Sequence, residues 1–508
     1  MKSKLLITLL LTVCVRFCSL ANNIQVSNTS FTSQNTTLHT VQVQFTLSWE
    51  NSWRVTAGPG NWDAAWVFVK YRVGGGPWLH ASLNNTNFVA PAGSTIAIGL
   101  LTPGTAFNIN TNPGKGAFIY RSANGSGTFT VTNAQLQWDY GSNGLGDNDV
   151  VDIQVFAIEH VYVPQGTFAV GDGQTGNGQF TLTTINTGIA TVPPVGSGSL
   201  GGQAGGYPTG QLPPSNAIWP NGYNAFYCMK NEVSQQGYAD FLNCLTRTQQ
   251  QTHIATNIST GTIANRYVMF NSPVLVARNG IRCDGTVSAT GPITFYCDYD
   301  GDGVGGEVND GKDIASCLNQ LDLWAYLDWA GLRPITEMEY EKCSRGTLPS
   351  IAGEYAWGNA IAIPASSILN PGLSSEEPNT SANVISSNGG INGPLRVGSV
   401  AGTTTSRQQA GAGYYGIMEM TGNLTEAVIY ITSVSFLGTH GDGLLDGSGS
   451  TTNGDWPPMP ANGTNVNCIR GGSFMSGIVG ICLSCRTGFP FVGDHGSEHG
   501  GRGGRTAL

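Results

Sequence analysis

Carboxylates at alternate positions make Asp298-Tyr-Asp-Gly-Asp-Gly the clearest candidate for metal chemistry in this 508-residue sequence. A glycine that permits a sharp turn follows them, as in the first half of an EF-hand calcium loop. The twelfth position holds Asn309 where such loops carry a bidentate glutamate, and Asp310 lies beside it. The predicted calcium ligands are Asp298, Asp300, Asp302 and Glu307. The alternative is a turn whose carboxylates only accept hydrogen bonds from nearby backbone amides.

Thiols are the second group of side chains that could carry chemistry, because the chain has 11 cysteines. Cys14 and Cys18 fall in an N-terminal apolar segment, which leaves an odd number, so at least one thiol stays free or pairs with another chain. Cys283 and Cys297 flank a predicted hairpin over residues 286–295 and form the predicted disulfide. Cys228 and Cys244 are an alternative pair, since sequence alone does not fix connectivity.

The elements that position these groups differ between the two parts of the chain. From residue 22 to 155, short runs such as Val41-Gln-Val-Gln-Phe alternate apolar and polar residues, which predicts an all-β sandwich. Its tryptophans are expected in the core, and a sugar-stacking platform is the alternative for Trp49, Trp53, Trp62, Trp66, Trp78 and Trp138. Later, apolar spacing predicts helices over residues 234–245 and 322–329. A third helix is predicted to begin at Thr336, where Thr-Glu-Met-Glu has the pattern of a capping box.

Ordered motifs in the second part of the chain carry a family resemblance. They are Phe226-Tyr-Cys-Met-Lys-Asn-Glu-Val-Ser, Arg333-Pro-Ile-Thr-Glu-Met-Glu-Tyr, Tyr355-Ala-Trp-Gly-Asn, Gly416-Ile-Met-Glu-Met-Thr-Gly-Asn-Leu-Thr-Glu and Arg470-Gly-Gly-Ser-Phe. In this order they resemble the formylglycine-generating-enzyme (sulfatase-modifying-factor) family. The resemblance implies a C-type-lectin-like α+β domain over residues 156–508, after the sandwich of residues 22–155.

The resemblance also implies calcium sites. The segment 419–426 matches a family loop in which calcium takes side-chain oxygens from the first and last positions and carbonyl oxygens between them. The residues that this match nominates are Glu419, Gly422, Leu424 and Glu426. Thr425 replaces the usual tryptophan without removing an oxygen donor. Asn383 stands where the family's other calcium site begins.

The copper chemistry of the family is placed in doubt by the residues after Arg470-Gly-Gly-Ser. Its oxidases bind copper(I) through two cysteines, and the corresponding positions here are Ser476 and Ile481. The resemblance therefore implies a domain without this oxidation. The alternative is a copper-dependent oxidase that converts a substrate cysteine to formylglycine, with Cys482, Cys485 and Ser473 in its site. Cys-Leu-Ser-Cys is also typical of a redox pair, a disulfide or two unrelated thiols.

The segment after this motif, residues 474–499, lacks periodicity and ends in Gly-Gly-Arg-Gly-Gly-Arg. Its placement and composition resemble the variable region of lectin-fold proteins diversified by retroelements, in which exposed residues contact a ligand; an ordinary surface loop is the alternative. The residues predicted to contact a ligand are Phe474, Ser476, Arg486, Phe489, Phe491, Asp494 and His495.

The composition of the chain limits the kinds of partner that it can bind. The formal net charge of −9 without any Lys/Arg run gives no electrostatic footprint for nucleic acid. Residues 1–21 have the charged, apolar and small-residue regions of a signal peptide, and no later stretch is apolar enough for a membrane span. We therefore expect a secreted or cell-surface binding or structural protein, stabilised by calcium. Its expected partners are glycans, other proteins or copies of itself in an oligomer, filament or surface layer.

Overall fold

The computed structural model describes residues 23–507 except 175–178, 190–215, 260, 262, 264–265, 289, 380, 403–404, 432–434, 459–466 and 487–497. The protein is rich in β-structure and has few, short helices. The predicted signal peptide, residues 1–21, lies outside the described residues. Within the described part of the chain, no helix is long and apolar enough to cross a membrane.

Eight strands form the first part of the chain. They are β1 Gln25–Asn35, β2 Thr40–Arg54, β3 Asp63–Val73, β4 Leu79–His80, β5 Ser94–Leu100, β6 Gly114–Arg121, β7 Gly125–Asp139 and β8 Val151–Val163. One sheet has the order β1-β2-β7, and its strands pair antiparallel. The second sheet faces it, and together they enclose a core that includes Val43, Leu47, Trp49, Val67 and Trp138. The first part is therefore rich in β-structure, and Trp49 and Trp138 are buried between its two sheets.

The described residues of the second part add twelve short strands and four α-helices. The strands are β9 Phe168–Val170, β10 Thr183–Ile185, β11 Phe226–Met229, β12 Ile281–Cys283, β13 Phe295–Cys297, β14 Arg333–Pro334, β15 Ile368–Leu369, β16 Glu377–Pro378, β17 Thr425–Ile429, β18 Asn467–Arg470, β19 His499–Gly500 and β20 Gly503–Thr506. The helices are α1 Gln235–Asn243, α2 Arg247–Thr252, α3 Gln320–Trp329 and α4 Glu337–Arg345. Ser234 caps α1, and the capping box predicted at Thr336 is present at α4.

A continuous sheet joins the two parts of the chain. Its order is β14-β20-β11-β8-β3-β6-β5, and β8 pairs with β3 through residue 161 and with β11 over residues 160–163. The predicted boundary at residue 155/156 thus falls within one strand. Along β3, Val67 and Val69 face the sandwich core, while Trp66 and Phe68 face the second part. Burial on both faces explains why β3 reads as a nearly unbroken apolar run.

Helix α4 lies at the centre of a buried network of ion pairs. Glu337 accepts hydrogen bonds from Arg486 at 2.7 and 2.9 Å, and Glu341 accepts from Arg470 at 2.5 Å and from Arg345 at 3.1 Å. Burial raises the pKa of Glu341, but the two arginines beside it outweigh burial and hold it below its usual value. These contacts fix segments far apart in the sequence around one helix.

A smaller buried cluster lies where the two parts of the chain meet. Lys230 contacts Glu159 at 2.6 Å, and the second oxygen of Glu159 has no hydrogen-bond partner. Asp63, on the adjacent strand, accepts hydrogen bonds from Trp49 at 2.7 Å and Ser52 at 2.8 Å. Burial raises the pKa of Glu159 to about 8, with Lys230 acting to lower it and Asp63 to raise it.

Replacement of Glu337 by leucine should leave the buried guanidinium of Arg486 without its carboxylate. We expect the free energy of unfolding in urea to fall by about 3–5 kcal/mol, the usual cost of breaking a buried pair from one side. The matched control is Asp152→Ala, which removes a pair with Arg72 whose side chains are 58% and 37% exposed. That variant should lose less than about 1 kcal/mol. Equal losses in both variants would contradict the assigned importance of the network.

The raised pKa of Glu159 predicts that stability falls as pH increases. The stabilisation associated with its neutral form is complete below the unfolded value of 4.5 and is lost as pH rises through about 8. Urea unfolding at pH 5, 7 and 9 should therefore give a steeper decline for the wild type than for Glu159→Gln. Identical declines would show that another group titrates.

Candidate functional site

The aspartate-rich loop between β13 and α3 brings five carboxylates together. One oxygen from each of Asp298, Asp300 and Asp302 lies within 4.8 Å of the others, and the same holds for Asp300, Glu307 and Asp310. Asp300 therefore belongs to both groups. The four predicted ligands of this loop are thus divided between two groups of three carboxylates that share Asp300, and Asp310 completes the second group.

Most oxygens of this cluster also organise the loop itself. Asp298 is buried and accepts hydrogen bonds from Gly301 and Gly303, and it contacts Arg282 at 2.6 Å. The side chain of Asn309 donates to Asp300 at 2.6 Å. The residue at the twelfth position thus orients a carboxylate instead of replacing the missing glutamate.

Charge repulsion within the loop is not fully balanced. The carboxylate of Asp302, together with other acidic neighbours and some burial, raises the pKa of Glu307. Burial raises the pKa of Asp310, and one of its oxygens is buried without a hydrogen-bond partner. Oxygen donors at this spacing suit a hard cation such as calcium. The residues of the loop therefore fit the ion that the sequence predicts.

The loop from Glu419 to Glu426 has a different charge balance. Both oxygens of Glu426 accept hydrogen bonds at 2.7 Å from Arg502, which differs from its predicted role as a calcium ligand. Glu232, which was not predicted, accepts from the backbone of Leu424 at 3.1 Å. Gly422 adopts φ +79°, and a Cβ there would contact the carbonyl oxygen of Ile385.

Glu419 is the residue of this loop whose carboxylate has an oxygen left to bind a cation. One of its oxygens accepts from Gly398 at 2.6 Å, and the other is buried without a hydrogen-bond partner. Burial raises the pKa of Glu419 to about 7, although Arg502 and Arg396 act to lower it. Burial also raises the pKa of Glu232 and Glu426 against the effect of Arg502. A cation beside Glu419 would offset this concentration of buried carboxylates.

Asn383 has a structural explanation that requires no metal ion. It is buried, its side-chain oxygen accepts from Ile363 at 2.7 Å, and its amide donates to Ile361 at 3.3 Å. The side chain of Asn383 thus holds the chain at residues 361 and 363 in place.

The residues of the motif that begins at Arg470 have structural contacts in the interior. Ser473 is buried and donates to Glu498 at 2.6 Å, and the hydroxyl of Ser476 accepts from the backbone of Ser473 at 3.0 Å. Phe474 is 3% exposed and packs with Leu424. This burial differs from the ligand contact predicted for Phe474.

Arg486 also differs from its predicted role as a ligand contact. It is 1% exposed, pairs with Glu337, and lies 4.0 Å from the ring of Phe180. Its guanidinium is committed to the network around α4. The other predicted contacts in this segment, Phe489, Phe491, Asp494 and His495, lie outside the described residues.

The disulfide prediction at Cys283 and Cys297 is corrected by strand register. The hairpin is formed by β12 and β13, whose strands contain the two cysteines, in place of the predicted segment 286–295 between them. Cys283 is opposite Phe295 and Cys297 is opposite Ile281. The two cysteines are diagonal neighbours, about 7–8 Å apart in such a pair, whereas disulfides need Cβ atoms about 4 Å apart. Both are free and buried.

Cys482 and Cys485 are joined to each other instead. Both sulfur atoms are buried, and the side chain of Gln179 donates to Cys482 at 3.4 Å. Ser476 and Ile481 supply no thiolate, and these bonded cysteines are not thiolates either. The described residues around the motif thus do not match a copper(I) site of the predicted kind.

No family model and no curated protein matches the chain. Among solved structures, PvdO from Pseudomonas aeruginosa is 16% identical, with 69% of this chain and 95% of that chain covered and a TM-score of 0.33. Treponema denticola variable protein 1 is 12% identical, with 69% and 96% covered and a TM-score of 0.28. At these TM-scores neither similarity supports an argument about fold or function.

Cysteine mapping by mass spectrometry tests the revised connectivity. Alkylation of the unfolded protein without reductant should label Cys283 and Cys297. Cys482 and Cys485 should be labelled only after reduction, because their sulfur atoms are joined. A linked peptide containing Cys283 and Cys297 would contradict the hairpin register.

Proposed function

We propose that this chain is a secreted or cell-surface binding or structural protein without oxidase activity. In this proposal, calcium stabilises a C-terminal domain related to formylglycine-generating enzymes. The observation that carries it is the replacement of both expected copper thiolates by Ser476 and Ile481, beside a disulfide between Cys482 and Cys485. The motifs that resemble the family serve as packing and ion pairing in the structure.

The aspartate-rich loop is the primary calcium site of this proposal. Its five carboxylates face one paired arginine, Arg282, and Asp310 retains an unpartnered buried oxygen. Calcium would neutralise these carboxylates and connect the exposed part of the loop to the buried residue Asp298. The unpartnered oxygen of Glu419 supports a second cation position with fewer side-chain donors.

Display of a ligand-binding C-terminal segment is a second candidate function. Met475 and Val479, which precede residues 487–497, are 55% and 82% exposed although both are large and apolar. Neighbouring exposed apolar residues are typical of a contact surface. Glycans, proteins and further copies of the chain are the ligand classes that the proposal includes.

Metal counting and unfolding together test the role of calcium. We expect bound calcium and no stoichiometric copper by mass spectrometry of the purified protein. Chelation should lower the melting temperature, because an ion that binds only the folded state stabilises it. The double variant Asp300→Asn/Asp302→Asn should lose an ion and most of this response. The control Asp446→Asn alters an exposed aspartate turn that accepts backbone hydrogen bonds without a carboxylate cluster.

Each contrary result has a distinct meaning. Unchanged melting after chelation, with no calcium retained, would overturn calcium stabilisation. Stoichiometric copper that is lost in Cys482→Ser and Cys485→Ser would restore the oxidase alternative, and formylglycine formation on a cysteine peptide would then be measured.

A further inference from the structure

An open cavity of about 350 Å³ lies at one end of the sandwich, between β1 and the connection from β7 to β8. Its apolar wall includes Phe31, Trp138, Leu145 and Val151, and its rim carries Asp147 and Asp149. We call this cavity the β1 groove. It belongs to the part of the chain that the family resemblance does not cover, and its residues take no part in the calcium sites.

The apolar wall is built on a rigid base. Trp138 is 1% exposed, and its indole nitrogen donates to Asn143 at 2.8 Å. Phe31 stacks on Trp138 with ring centroids 6.1 Å apart, yet Phe31 remains 40% exposed. An exposed aromatic ring supported by a buried one provides a preformed surface for an alkyl chain or another ring.

The rim supplies an oriented negative charge. One oxygen of Asp147 accepts a hydrogen bond from Tyr140 at 2.6 Å and contacts a ring nitrogen of His39 at 2.9 Å. These hydrogen bonds lower the pKa of Asp147. Asp149 is exposed and accepts from the backbone of Gly146 at 2.8 Å. None of the residues that line the groove is a lysine or arginine.

An apolar wall beside carboxylates suits a ligand with an apolar body and a cationic head. We propose that the β1 groove binds a lysine or arginine side chain of a partner polypeptide, with its alkyl stem against Phe31 and its head on Asp147. Lysine and arginine bury their stems on apolar surface while keeping the charge at the rim. Arginine can also stack on the exposed ring. This inference adds a ligand class to the proposed binding function and is independent of calcium.

Capped fluorescent Gly-Lys-Gly, Gly-Arg-Gly and Gly-norleucine-Gly peptides are the probes, with binding to the full chain followed by fluorescence anisotropy at low salt. Norleucine matches the lysine stem without its charge. We expect binding of the lysine or arginine peptide to exceed that of the norleucine peptide by about tenfold or more, the change expected for one charge-assisted hydrogen bond. Added salt should weaken binding of the charged peptides.

Two variants locate the site without disturbing the core. Asp147→Asn retains an oxygen that can accept from Tyr140, and it should reduce binding of the charged peptides to the norleucine level. Phe31→Ser removes the exposed ring and should weaken binding of all three peptides. The control Asp152→Asn removes a carboxylate on β8 that pairs with Arg72 outside the groove, and it should leave binding unchanged. Unfolding in urea verifies that each variant is folded.

Several outcomes would overturn this assignment. Equal binding of the lysine, arginine and norleucine peptides would make the groove a purely apolar site. Binding that is unaffected by Asp147→Asn would place the ligand elsewhere, and no binding at millimolar peptide would exclude the site. Competition by a neutral oligosaccharide, equal in wild type and Asp147→Asn, would assign the groove to glycans. None of these results would alter the calcium measurements.

Discussion

The need to pair charge in a dry interior is the constraint on which the rest of this structure depends. Only 11% of residues are charged, yet several arginines are fully buried. Three of them reach carboxylate partners across long sequence separations, in the pairs Arg470–Glu341, Arg486–Glu337 and Arg502–Glu426. A buried ion left without its partner costs several kcal/mol. The segments that carry these residues must therefore dock together, and α4 becomes the point at which β18, the Cys482–Arg486 turn and β9 are held.

The same constraint separates structural charge from charge available for a ligand. Around α4, arginines are interleaved with the carboxylates, and a backbone amide and a hydroxyl donate further hydrogen bonds to them. Glu341 accepts from Gly171 and Ser484 besides its arginines. In the aspartate-rich loop, carboxylates outnumber cations and an oxygen of Asp310 is left over. The charges around α4 are balanced, whereas the loop has an excess of negative charge. This difference favours a bound cation in the loop. Acidic residues alone do not make this distinction, because both regions are acidic in sequence.

Local features of the fold could be predicted from the sequence, whereas long-range relations could not. The capping box at Thr336 depends on residues a few positions apart, and it is present. The hairpin predicted over residues 286–295 differs, because its strands are β12 and β13 and contain the two cysteines. The register that separates Cys283 from Cys297 depends on how the hairpin closes, which spacing does not specify. Arg486 resembled an exposed anchor because its partner, Glu337, lies 149 residues away. Glu232 and Arg502 belonged to quoted motifs, but only the fold shows that they share one buried site with Glu419.

Strand β8 determines how the two proposed binding features relate to each other. Its first residue, Val151, lines the β1 groove, and its last residues pair with β11 in the second part of the chain. A strand of 13 residues at about 3.3 Å per residue extends for about 40 Å. Both faces of the neighbouring strand β3 are buried. The sheet that contains β3 and β8 therefore cannot bend at the predicted domain boundary without exposing core residues. The groove is therefore held at a fixed distance from the second part of the chain, so that the first part is a rigid extension of the second and not a tethered module.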